Sequence, residues 1–271
     1  DNRSSRGLGD VYKRQDMYPG KYAEQNPDRS AFVMAATGER VSYQEFEARS
    51  NRVAHYLADK GLGFQDHYSI FMENNNRYLE SCAAGERSGL YFTCINSFLT
   101  SDELAYIINN SESQILITSM SKLEVAQEAL AQCTAIKEVL VVGAGDADLP
   151  EGMSDFASTL SKYPETPLER ELLGAAMLYS SGTTGRPKGI VRPLPEQSPN
   201  EPLPVIGFLS GLWRYREDMI YLSPAPLYHS APQAAVGLTL RMGGTVVIME
   251  RFDPADYLRF VEEYQVSHSQ L

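Results

Sequence analysis

Between Ser42 and Met249, short apolar runs keep alternating with helix-patterned segments of roughly ten residues, and this alternation restricts the possible folds more than any other feature. Tyr68–Met72, Leu90–Ile95, Gln114–Thr118 and Lys137–Val142 read as strands. Helices are predicted from about Asn76 to Gly89, through Ile108, and over Lys122–Ala131. Strands separated by helices need crossover connections, so the pattern predicts an α/β chain with a mostly parallel sheet covered on its faces. Ser42 with Glu45 and Thr100 with Glu103 have capping-box spacing and predict two helix starts; the first helix turns Phe46, Val53 and Leu57 inward. Gly143–Gly152 is linker-like, and Pro193–Pro204, with five prolines in twelve positions, reads as an extended surface loop. Helix Val205–Tyr215, strand Met219–Ser223, helix Gln233–Met242 and strand Thr245–Met249 begin a second α/β unit. No internal repeat or low-complexity tract interrupts the series.

The chemistry concentrates in Leu178–Gly189. Three glycines, four hydroxyl side chains and two cations follow an apolar run, with Ala175–Ser180 entering as a strand. Glycine lets backbone N–H groups turn toward an anion, and successive N–H groups make an anion-binding concavity. Hydroxyls add neutral donors, while Arg186 and Lys188 add charge-assisted ones. A plain surface turn needs glycine but not hydroxyls and a lysine with it. A Walker A loop is excluded because Lys188 follows Pro187 and precedes Gly189, and the G-x-G-x-x-G pattern fails at Ser180.

Tyr179-Ser180-Ser181-Gly182-Thr183-Thr184-Gly185-Arg186-Pro187-Lys188-Gly189 resembles, at every constrained position, the phosphate-binding signature of the adenylate-forming superfamily. Pro226-Leu227-Tyr228-His229-Ser230-Ala231-Pro232 resembles that family's second marker, at the acyl pocket. Glu103–Asn109 and Gly243–Val247 followed by Phe252-Asp253-Pro254 are weaker matches that alone read as an ordinary helix and strand. The resemblance covers about residues 16–271 and is to the first half of an acyl-CoA synthetase's N-terminal domain. It implies an αβαβα layered fold, with one α/β subdomain over about 16–170 and the start of a second over about 171–271. The family's small mobile C-terminal domain is expected to be absent.

The same resemblance implies a two-step reaction. A carboxylate attacks the α-phosphorus of Mg-ATP, and coenzyme A then displaces AMP from the acyl-adenylate. Ser180, Ser181, Gly182, Thr183, Thr184 and Gly185 are expected to line the β,γ-phosphates, and Lys188 to neutralise departing pyrophosphate. The competing reading of Lys188 is a solvated lysine after a turn. Tyr228 and His229 are expected to border the acyl pocket and the thiol path; alone, Tyr228 reads as core and His229 as a loop brace. Phe208 and Trp213 fit either an acyl tunnel or a helical core. No catalytic residue is expected within the chain, since the family's adenine and ribose motifs, hinge and catalytic lysine would lie beyond Leu271. Isolated, the chain is therefore expected to be inactive. The acid is expected to be fatty or otherwise apolar. An amino-acid-activating adenylation domain and a nucleotide-binding pseudoenzyme are the alternatives.

Composition narrows the partners. A net charge of −11 over 271 residues, with scattered cations, argues against a nucleic-acid surface. No apolar run approaches the roughly 18 residues of a membrane span. Cys82, Cys94 and Cys133 show neither disulfide-framework nor zinc spacing and read as small buried hydrophobes; no metal site is expected. A reducing, cytoplasmic setting fits. Residues 1–15 lack sustained apolar periodicity and resemble a translated adapter or tag, so they are expected to be non-native. Asp253-Pro254 reads as an N-cap with proline at the first helical position, opening a helix with Tyr257, Leu258, Val261 and Tyr264 on one face. A strand is expected from Val266, and the chain reads as a partial frame.

Overall fold

The computed structural model describes residues 17–180 and 186–270. Its helices are α1 (Pro19–Gln25), α2 (Tyr43–Asp59), α3 (Tyr78–Ser88), α4 (Ser101–Asn110), α5 (Leu123–Leu130), α6 (Phe156–Leu160), α7 (Pro204–Leu212), α8 (Ser230–Arg241) and α9 (Pro254–Glu263). Its first seven strands are β1 (Ser30–Met34), β2 (Arg40–Ser42), β3 (His67–Phe71), β4 (Tyr91–Cys94), β5 (Ile115–Ser119), β6 (Glu138–Val142) and β7 (Met153–Asp155). The remainder are β8 (Ala175–Ala176), β9 (Leu178–Ser180), β10 (Lys188–Ile190), β11 (Ile220–Ser223), β12 (Thr245–Ile248) and β13 (His268–Ser269). Both capping boxes form: Ser42 and Glu45 exchange backbone-to-side-chain bonds, as do Thr100 and Glu103. Asp253 accepts from the backbone of Ala255 and Asp256 with Pro254 just behind it, as its sequence predicts.

Two units divide the chain. One comprises residues 46–199 and 225–233 and holds a six-stranded sheet in the order β7-β6-β5-β3-β4-β8. Every neighbouring pair in it is parallel. All residues of β4 and β5 are buried, which is why they read as unbroken apolar runs and not as alternating ones. A core on one side joins Phe71, Leu116, Val139 and Val141 to Leu104 and Ile108 of α4 and Ala126 and Ala129 of α5. Gly89, at φ +67°, ends α3 in the left-handed conformation where a Cβ would be strained. The linker-like segment after Gly143 is followed by β7 and α6, which the sequence did not announce.

The other unit, built from residues up to 45, 200–224 and 234 onward, holds a five-stranded sheet in the order β13-β11-β12-β1-β2. Only the β1–β2 pair is antiparallel. Neither β1 nor β2 was marked by the sequence, yet β1 pairs in register with β12, Phe32 opposite Val246. The buried Tyr43 hydroxyl donates to the carbonyls of Leu240 and Gly244, which ties the start of α2 into this unit. On α7, Ile206 and Leu209 pack beside Leu238 and Met242, while Phe208 and Trp213 are 67% and 50% exposed. The helical-core reading of those two aromatics is thereby removed. Among the described residues, no helix is long and apolar enough to cross a membrane.

Candidate active site

The glycine- and hydroxyl-rich loop is the connection of a β-hairpin. β9 and β10 pair antiparallel, with Ser180 opposite Lys188, Tyr179 opposite Gly189 and Leu178 opposite Ile190. Ser181, Gly182, Thr183, Thr184 and Gly185 lie outside the described residues. The two flanking residues expected at the phosphates, Ser180 and Lys188, are brought face to face at the mouth of the loop, both exposed. A Cβ at Gly189 would stand 2.4 Å from Met177 Cε and 2.9 Å from Tyr179 Cζ, so both side chains would have to shift to admit one.

α4 braces this hairpin from one side. The Tyr106 hydroxyl donates to the Pro187 carbonyl at 3.0 Å, and the Arg186 guanidinium lies over the Tyr106 ring at 5.1 Å. One helical turn on, Asn110 Oδ1 accepts from the Tyr179 hydroxyl at 2.7 Å. Burial, with Tyr106 nearby, pushes the Tyr179 phenol well up, so it remains a neutral donor. Tyr106 and Asn110 are four residues apart, which places both on one face of α4. The Glu103–Asn109 sequence match was a pointer to Tyr106, and nothing in the sequence pointed to Asn110.

The second expected site lies in the same unit. Asn74, just beyond the carboxyl end of β3, clamps the loop at both sides of Pro226: its Nδ2 donates to the Ala225 carbonyl at 3.3 Å and its Oδ1 accepts from Leu227 N–H at 2.9 Å. Tyr228 and His229 follow with ring centroids 4.3 Å apart, Tyr228 partly buried and His229 exposed. Burial raises the Tyr228 phenol above its ordinary value. α8 begins at Ser230, three residues earlier than predicted, so His229 stands at its start, its carbonyl accepting from Gln233 N–H at 3.1 Å. Next to Asn74, burial pushes the Glu73 carboxyl up, but hydroxyls of Ser119 at 2.6 Å and Ser121 hold it below its ordinary value. Sequence reasoning missed both Asn74 and Glu73.

Sheet topology relates the two pieces. β3, β4 and β8 are parallel neighbours, β9 continues from β8, and Asn74 follows β3. The hairpin and the His229 loop are thus both attached at the carboxyl edge of one parallel sheet, where open α/β sheets carry ligands. Among the described residues, no three His, Cys, Asp or Glu side chains cluster as a cation cage.

Residues 20–271 match the AMP-binding enzyme family. The chain is 26% identical over 269 residues to 4-coumarate–CoA ligase 1 of Petroselinum crispum, covering 96% of this chain and 48% of that protein. It is 28% identical over 255 residues to the medium/long-chain-fatty-acid–CoA/3-oxocholest-4-en-26-oate–CoA ligase of Mycolicibacterium smegmatis, covering 89% of this chain and 46% of that one. It spans about half the length of these relatives. Among solved structures it superposes on a red-emitting luciferase from Phrixothrix hirtus with a TM-score of 0.77 at 21% identity, covering 94% of this chain and 49% of that one. The N-terminal domain of FACL13 from Mycobacterium tuberculosis gives 0.74 at 22% identity, covering 93% of this chain and 61% of that one. The chain belongs to the AMP-binding enzyme family and has the α/β fold of the N-terminal domain of adenylate-forming enzymes.

Proposed function

We propose that the protein to which this chain belongs is an ATP-dependent acid–CoA ligase: it converts a fatty or otherwise apolar carboxylic acid to an acyl-adenylate and passes the acyl group to coenzyme A. The observation that carries this reading is the β9–β10 hairpin, which sets Ser180 against Lys188 at the mouth of a loop of the required composition. The difficulty of the first step is to bring an anionic carboxylate to a polyanion, so positioning and charge stabilisation must supply most of the catalysis. In this reading Ser180, Ser181, Gly182, Thr183, Thr184 and Gly185 hold the β,γ-phosphates, and the Lys188 ammonium stabilises the charge that develops on leaving pyrophosphate. Tyr228 walls the acyl pocket, and His229 stands where the thiol must approach the adenylate. Magnesium would enter with the nucleotide, held by the oxygens of its phosphates. The working compartment is the cytoplasm, where thiols stay reduced.

Relatives of both aryl and fatty acids are similar to this chain to nearly the same degree. The fatty-acid choice rests on the phosphate-loop flanks and the Tyr228–Pro232 segment. Titration calorimetry of the purified chain with Mg-ATP tests the phosphate site. Binding is expected, and Lys188→Ala should weaken it roughly tenfold to a hundredfold with the circular dichroism spectrum unchanged. A folded chain that ignores ATP, or binds it equally well without Lys188, would sink the assignment. Carboxylate-dependent pyrophosphate release is expected to be nil for the chain alone, and measurable turnover would refute that expectation.

A further inference from the structure

Cys82 and Cys94 lie twelve residues apart in sequence, one on α3 and the other at the carboxyl end of β4, and their sulfurs are 3.7 Å from each other. Both are buried, and the third cysteine, Cys133, is engaged elsewhere, its sulfur against the Ala129 carbonyl. A disulfide needs its sulfurs about 2 Å apart, so closing this pair takes a shift of less than 2 Å within two side chains that can each rotate. A third side chain is aimed at them: Gln233 Nε2 is 2.8 Å from Cys94 Sγ and 3.9 Å from Cys82 Sγ. An amide N–H directed at a sulfur favours its thiolate, which is the reacting species. Core packing alone does not call for such a donor, since an aliphatic side chain would fill the same space without a polar group to satisfy.

We propose that Cys82 and Cys94 are an oxidisable dithiol that a small hydroperoxide converts to a disulfide, and that this modification loosens the turn carrying His229. The Cys94 thiolate attacks the terminal peroxide oxygen to form an S–O bond, the O–O bond breaks, and the departing alkoxide, or hydroxide from hydrogen peroxide, takes up a proton to leave as alcohol or water. Cys82 then attacks the Cys94 sulfenic sulfur, the S–O bond breaks, and water leaves as the S–S bond forms. Two thiols lose two electrons and one hydroperoxide gains them; with hydrogen peroxide both products are water. The environment separates the two roles. Burial pushes the Cys94 thiol up, but hydrogen bonds involving Cys82, Tyr78 and Gln233 bring it below its ordinary value. Burial and the Cys94 neighbour hold the Cys82 thiol well above its own. Gln233 Nε2 stands 2.8 Å from Cys94 Sγ but 3.9 Å from Cys82 Sγ, which makes Cys94 the attacking sulfur and Cys82 the resolving one.

The link to the site runs through Gln233. Its side chain bonds the sulfur while its backbone N–H bonds the His229 carbonyl in the first turn of α8. Forming the S–S bond draws the Cys94 sulfur toward Cys82 and leaves it a weak acceptor, so oxidation weakens the side-chain anchor of that turn. The importance of that turn rests on the acyl-pocket reading of His229; the chemistry of the cysteine pair does not.

The test is to treat the reduced 271-residue chain with hydrogen peroxide and then map it. The expected result is an intramolecular Cys82–Cys94 disulfide, a mass loss of about 2 Da, and restoration by dithiothreitol. Cys133→Ser should retain the reaction and Cys94→Ser should abolish it. The wild-type peptide map decides the question even where a variant does not fold. Three titratable thiols surviving peroxide, or oxidation confined to Cys133 or to disulfides between chains, would overturn the dithiol. Hydrogen exchange at the Gln233 amide, which bonds the His229 carbonyl, should be at least severalfold faster in the oxidised chain, and unchanged exchange would overturn the coupling. Neither readout requires turnover, so both stand apart from the ligase assignment.

Discussion

The hairpin around the glycine- and hydroxyl-rich loop and the loop around His229 are held in opposite ways. Ser180, Tyr179, Lys188 and Gly189 form their own ladder within a dozen residues, and α4 adds two tyrosine hydroxyl bonds. The His229 loop has no ladder of its own. Its fixed points are the bidentate Asn74 amide, 151 and 153 residues away in sequence, and the first turn of α8. A short ladder announces itself in local composition, whereas a side-chain clamp leaves no local trace. Residues of a local ladder and residues that clamp a distant loop are therefore legible to very different degrees.

The comparison can be broken most severely at Gly174, just before β8. A Cβ there would meet the Gly85 carbonyl oxygen at 2.1 Å and the Leu90 carbonyl at 2.4 Å, both backbone atoms that cannot swing aside. Gly174→Ala should cost about 3 kcal/mol or more in urea unfolding, because the strand leading to the hairpin has to back away from β4.

On the His229 side the next test is electrostatic. Glu80 is buried on α3 just after the Asn74 turn, with Arg77 Nη1 at 3.3 Å and Arg49 Nη1 at 3.9 Å. Burial pushes its carboxyl from an ordinary 4.5 up to about 7, and the two arginines only partly offset this. With the folded value raised, its contribution is fully present below about pH 4.5 and is lost as pH rises to about 7. The folded state then binds a proton that the unfolded state has released. Across that window the loss should total on the order of 3 kcal/mol, at about 1.4 kcal/mol per pH unit. Glu80→Gln should flatten the decline; wild-type and variant urea midpoints that run parallel from pH 4.5 to 8 would rule this out.

Asn74→Ala should cost about 2 kcal/mol, since the buried Leu227 N–H loses its acceptor, and exchange of that amide should accelerate while Tyr179 and Gly189 amides stay unchanged. Equal acceleration at the hairpin would erase the distinction drawn between the two regions. The smallest effect is expected for Tyr106→Phe, about 1 kcal/mol or less. It removes one hydroxyl bond to Pro187 and keeps the ring beneath Arg186.

Much of the helical framework was legible because its signals are local. The Ser42–Glu45 and Thr100–Glu103 boxes and the Asp253-Pro254 start were read from a few adjacent letters and formed as expected. The central strands were legible because burial on both faces leaves a continuous apolar run. β1, β2, β7 and β10 were not, being defined by partners; β1 meets β12 more than two hundred residues later. The folded chain groups residues 17–45 with residues 200–224 and 234–270. Only pairing across the chain can express that.

By itself the sequence determined the α/β class, the composition of the Leu178–Gly189 loop and the AMP-binding membership, because each depends on residue types at close spacing. Tertiary structure alone decided that Ser180 faces Lys188, that Asn74 holds the loop before His229, that Glu80 sits among arginines and that two cysteine sulfurs meet beneath Gln233. Those facts depend on which distant segments share one sheet edge, and hydrogen bonds between side chains carry no periodicity that a sequence could display.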